Sequence, residues 1–145
     1  MVKLCLDCFE IYKNSLKEDE WADYQFCPKI SCQGKVVEVD ELMLPIIIEL
    51  NKKCYITEYC CAGHYYDRPV GCYIKFWEEI QLPYLPSGYK FETEGNTIRK
   101  EFGRGGDIDN YKYFNEINDN ANQLLKWAES LPFNDNFILY LRGRQ

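Results

Sequence analysis

Histidine is nearly absent: the chain holds one among 145 residues, so any site that needs two imidazoles is excluded. Long apolar runs are missing as well, and none approaches the ~20 residues that carry a helix across a bilayer. The opening MVKLCLDCFEIYK has no apolar signal region and no small-residue cleavage site, which predicts a soluble, cytoplasmic protein. No G-x-x-x-x-G-K-S/T phosphate loop and no H-E-x-x-H motif occurs. The H-x-E…P-C-x-x-C deaminase pattern is lacking too. GRGG, residues 103–106, is a bare glycine cluster around Arg104 and reads as a link. Glu78 and Glu79 are adjacent, so on a strand they point to opposite faces and cannot work as a carboxylate pair. Asp107 and Asp109 suit helix capping better than a calcium loop.

Positive charge is also in short supply. Seventeen Lys and Arg face 23 Asp and Glu, a formal charge of −6. Four thiolates around a zinc ion would lower the net charge by two, to about −8. Such a field disfavours nucleic acid as a partner. Local basic groups remain at Arg99, Lys100 and Arg104, and again at Arg142 and Arg144.

Cysteine is abundant by contrast, with eight residues. Without an export signal, metal binding fits them better than disulfides. Cys5 and Cys8 form a C-x2-C pair, and Cys27 and Cys32 a C-x4-C pair. A short turn between paired cysteines lets both sulfurs face one ion, and two such turns complete a tetrahedron. The spacing predicts a zinc ribbon over residues 1–39, with Gly34 after the second pair and a strand through Val36, Val37 and Val39. All four positions would be filled by protein, so this Zn2+ is expected to be structural.

Residues 40–145 read as a small α+β domain: helix, a sheet of about four strands, helix. A helix is expected from Asp40, a good N-cap, to Lys52, with Pro45 either opening or kinking it. Leu42, Ile46, Ile47 and Leu50 share its apolar face. Cys54 to Tyr59 alternates as a strand, and CYIKFW is a second. Tyr89–Thr93 and Thr97–Phe102 suggest a hairpin turning at Gly95 and Asn96. Ile108, Tyr111, Phe114, Ile117, Ala121, Leu124, Ala128 and Leu131 keep helical spacing up to Pro132. No internal repeat or low-complexity segment interrupts this order.

The loop Cys60-Cys61-Ala62-Gly63-His64 holds the lone histidine beside two thiols. Three readings stay open. Cys61 and His64, with Cys60, Cys54 or Cys72, could bind a second metal. One thiol could be a nucleophile with His64 as its base. Or the loop is structural or a binding surface, with one cysteine facing the core and the other the far side of the sheet. Gly63 would then supply a positive φ, and Tyr65 and Tyr66 could stack on a ligand.

NKKCYITEYCCAGH, followed by a YIKF strand and later a TIR strand, resembles a family from low-GC Gram-positive bacteria and their phages. That family reads LNKKGY-x-T-x-x-CCSGH, often with cysteine pairs ahead of it. Cys54 stands here where the family has glycine, and Ala62 where it has serine. The resemblance implies a phage or mobile-element origin but brings no assigned activity. More distantly, the strand-then-CCxGH element is similar to the strand-then-SCSGR element of the wybutosine-synthesis methyltransferase family, with His64 in place of arginine. That similarity implies a loop near a cofactor or nucleotide.

Taken as a whole, the sequence predicts a small zinc-stabilised binding or regulatory protein with a protein partner. One candidate action is inhibition of a nucleic-acid-binding host enzyme by presented negative charge. The rival expectation is an enzyme acting on nucleotides or RNA, with Cys60 or Cys61, His64 and Arg99 at its site.

Overall fold

The computed structural model describes residues 2–13, 25–64, 70–77, 80–92, 96–103 and 112–136. Tyr65 and Tyr66, Glu78 and Glu79, Gly95, Arg104, Asp107 and Asp109, and Arg142 and Arg144 lie outside them. The architecture is α+β, with two antiparallel sheets and two α-helices among the described residues. Among these residues, no helix is long and apolar enough to cross a membrane.

The first sheet has the order β2-β1-β3, built from β1 (Val2–Cys5), β2 (Ile11–Lys13) and β3 (Val36–Val39). β3 is the strand expected from the valine run; β1 and β2 were not anticipated. β1 sits in the middle and is buried along its whole length. Strand β3 then delivers the chain to Asp40, whose carboxylate accepts from the Leu42 amide at 3.2 Å and caps a short 3-10 turn. Helix α1 (Leu44–Lys52) follows with Pro45 in its first turn, where a missing N–H costs no bond. Pro45 therefore opens the α-helix rather than kinking it.

The end of α1 explains a displaced strand. Cys54 adopts φ 68°, its amide donates to Asn51 O, and the Tyr55 amide donates to Leu50 O. These bonds form a Schellman cap, a motif that favours glycine at the left-handed position. Residues 54 and 55 are thereby used to end the helix, so β4 runs Thr57–Cys61 instead of Cys54–Tyr59. Buried Asn51 holds the junction: it donates to Ile47 O and to Thr57 Oγ1 and accepts from the Thr57 amide.

The second sheet has the order β4-β5-β7-β6, with β5 (Val70–Phe76), β6 (Lys90–Phe91) and β7 (Asn96–Gly103). Alternation on β5 turns Val70, Cys72, Ile74 and Phe76 inward. They join Cys60, Ile98 and the buried sides of α1 and α2 (Lys112–Ser130) in one core, which also takes in Leu4, Leu6 and Val39. Along α2 the buried set includes Tyr113, Ile117, Ala121, Leu124, Trp127 and Ala128. Phe114, placed by spacing on the apolar face, is 56 % exposed. Lys53 reaches from the end of α1 to the last carbonyls of α2, donating to Ala128 O and Glu129 O. That cation satisfies acceptors that a helix end leaves open.

Candidate metal centres

The turns that follow β1 and precede β3 bring Cys5, Cys8, Cys27 and Cys32 together, with all four sulfurs within 4.8 Å of one another. The Cys5 and Cys32 sulfurs are 3.5 Å apart, and those of Cys8 and Cys27 are 3.8 Å apart. Sulfurs held ~2.3 Å from a central ion at tetrahedral angles are separated by about 3.8 Å, so the four fit a metal ion without rearrangement. None of the eight cysteines is in a disulfide.

Local backbone chemistry builds this cage. The Asp7 and Cys8 amides donate to Cys5 Sγ at 3.4 and 3.5 Å. Each cysteine pair is followed at once by a left-handed residue, Phe9 at φ 62° and Gln33 at φ 55°, which turns the chain back. Gly34 is required beside them, because a Cβ there would run into the Asp7 carboxylate. The Tyr12 hydroxyl lies 3.2 Å from Cys27 Sγ. Burial alone would raise the Cys27 thiol, but bonds from Tyr12, the Lys29 amide and neighbouring thiols override it and bring it down to about 7.

A second group forms at the far end of β3. Asp40, Cys61 and His64, each half-buried, place one donor atom apiece within 4.8 Å of one another. Cys61 and His64 face the same point because Gly63 between them takes φ 101°. A side chain at 63 would meet the Gly71 carbonyl oxygen at 2.8 Å, so the turn is tied to glycine. The Asp40 carboxylate accepts from the Ala62 amide at 3.4 Å, which fixes it against the loop. The Gly63 amide donates to Cys61 Sγ at 3.4 Å. A cavity of about 230 Å3 opens beside this group, walled by Asp40, His64, Leu42, Phe114, Ile117 and Asn118.

No family model, curated protein or solved structure matches the chain.

The other predicted site residues fall elsewhere. Cys60 faces the core, and burial pushes its thiol up to about 12. Cys72 is likewise raised by burial, to about 11, against Tyr89 and Asn120. Neither is poised as a nucleophile near neutral pH. Cys54 is spent on the helix cap. Arg99 is two strands away from Cys61, in the register Cys61–Tyr73–Arg99. Its guanidinium pairs with Glu92 and lies over the Tyr73 ring, beside a separate recess of about 480 Å3. Asp40 was read from the sequence only as a helix cap. It does both jobs, with one carboxylate oxygen on Leu42 and the other on Ala62.

Proposed function

We propose that the chain is a small zinc-stabilised binding protein whose residues 1–39 form a zinc ribbon. The observation that carries this reading is the closed four-sulfur cage. Four thiolates select a soft, tetrahedral ion, for which Zn2+ is the commonest choice, and they leave it no open position for chemistry. Eight cysteines outside disulfides suit a reducing compartment, in keeping with a cytoplasmic protein.

The partner is a protein. Phe26 and Ile30, 63 % and 92 % exposed, stand on the turn that carries Cys27 and Cys32. Apolar side chains raised on a rigid, metal-held turn offer anchors that cost little entropy to dock. The net charge of −6 favours a basic partner surface. Lys75 and Arg99 on the second sheet are already engaged by Glu58 and Glu92, which argues against a nucleic-acid platform there. The resemblance to a phage-associated family suggests a target class: a nucleic-acid-binding enzyme of the host, blocked at its basic groove.

The test combines metal analysis with capture from host extract. Support would be zinc in the wild type and one partner held by wild type and by His64→Ala. Salt should release that partner, and the Phe26→Ser/Ile30→Ser double variant should lose it. Absence of zinc, or equal capture by the double variant, sinks the reading.

The convergence of Asp40, Cys61 and His64 beside a cavity favours a second reading, a thiol enzyme acting on nucleotides or RNA. Cys61 would be its nucleophile and His64 its base, without help from Cys60 or Arg99. A base-activated Cys61 would react with iodoacetamide at neutral pH at least tenfold faster in wild type than in His64→Ala. Equal rates remove this reading.

A further inference from the structure

We propose that Asp40, Cys61 and His64 form a second transition-metal site, distinct from the four-cysteine cage and open at one coordination position. The donor set is one carboxylate oxygen, one sulfur and one imidazole nitrogen, all within 4.8 Å of one another. Mixed oxygen, nitrogen and sulfur donors suit a borderline ion such as Zn2+, and three protein ligands with a fourth position left to water or a ligand is the arrangement of reactive zinc sites. Among the described residues no fourth Cys, His, Asp or Glu joins the three.

Three further observations point the same way. Each ligand is oriented by the fold and not by chance at the surface. Asp40 is pinned between the amides of Leu42 and Ala62. Cys61 Sγ accepts from the Gly63 amide, which fixes the sulfur against the turn. His64 is brought back to Cys61 by the left-handed turn at Gly63. The cavity beside the site has an apolar wall from Leu42, Phe114 and Ile117 and a polar group in Asn118. Phe114 is 56 % exposed on a helix face where its spacing predicts burial, and it flanks this opening. The fourth position is therefore within reach of a small molecule that has a donor atom at one end and an apolar body at the other.

The ligands come from two separated segments, the end of β3 and the end of β4, joined by the packing of those strands. This differs from the cage, in which each pair of cysteines lies within one turn.

The deciding experiment is equilibrium dialysis of the full chain against micromolar free Zn2+, followed by elemental analysis of wild type, His64→Ala and Asp40→Asn. Asparagine at 40 keeps one carbonyl oxygen for the Leu42 cap while it loses the charge and the acceptor for Ala62, and urea unfolding of the variant checks that it still folds. Two ions per chain in wild type and one in each variant are expected. Bound zinc should also shield Cys61 from iodoacetamide until a chelator is added. One ion in all three proteins, two ions in all three, or a second ion that binds only at millimolar zinc overturns the proposal. The four-cysteine ion is counted in every protein, so failure here is distinguishable from failure of the ribbon.

Discussion

The four-cysteine turns and the second sheet are stabilised by different means. Around the four cysteines the buried apolar set is small: Cys5, Cys27 and Val36, with Tyr12 and Cys32 packed against them. The second sheet shares a continuous core with both helices, including Ile46, Ile47, Leu50, Ile74, Phe76 and Leu124. Side chains this few cannot offset the entropy of ordering a segment of that length, a deficit that sulfur–metal bonds would make up. In the second region Asp40, Cys61 and His64 sit beside a continuous apolar core. A ligand set would thus be structural where the core is thin, and released for other work where the core is full.

Removing the cage should give the largest effect. Cys27→Ser, or a strong chelator, should abolish binding of the cage ion, whose apparent binding energy for such sites is about 10 kcal/mol or more. Hydrogen exchange should then show protection lost at Cys5, Cys27 and Val36 while Ile74 and Ile98 keep theirs. Uniform loss across both sheets would break the contrast. Ile74→Ala tests the other side. It empties a fully buried position and should cost about 3 kcal/mol in urea unfolding, with the cage ion still bound. Loss of that ion on this substitution would mean that the cysteine turns depend on the shared core.

Alkali should have a smaller effect, which in the second region comes through two buried thiols. Burial raises Cys60 from 9.0 to about 12 and Cys72 from 9.0 to about 11 in the folded chain. The unfolded chain ionises first, so this contribution is whole below pH 9.0 and is lost as pH rises through the folded values. Urea midpoints should fall over that window in wild type and fall less steeply in Cys60→Ala; parallel slopes would rule out the buried thiol as the cause. Cys54→Gly should have the smallest effect, and a stabilising one. It relieves a left-handed non-glycine residue at the helix cap, a gain of about 1 kcal/mol partly offset by the freer unfolded chain. A loss of stability would show that the Cys54 side chain contributes more than its backbone strain costs.

The four-cysteine cluster was legible because its ligands are paired at short spacing and the geometry is local. The helices and the number of strands in the second sheet were legible from periodicity. β1 and β2 were not, because the VKLC and IYK segments are too short to show a period and lie against the cysteine turns. β4 was misplaced by the helix cap at Cys54, which consumes residues that otherwise alternate like a strand. Phe114 was assigned to the apolar face by spacing alone, which says nothing about where the core ends. Asp40 was hidden for a different reason. Its short-range role as a cap fully explains an aspartate at that position, and its meeting with Cys61 and His64 depends on strand packing that no spacing rule encodes. Arg99 shares a cross-strand row with Cys61 but stands two strands from it, with Tyr73 between them, a spacing that only the strand pairing reveals.

Strand β3 starts at Val36, packed among the cage cysteines, passes through Val39 in the main core, and hands the chain to Asp40. At ~3.3 Å per residue it is a strut about 13 Å long. In the language of assembly it is a jig: one end is seated among the four cysteines, and the other presents Asp40 to the loop of Cys61 and His64. A shift of the cysteine turns would therefore be carried along four residues to the carboxylate that faces Cys61 and His64.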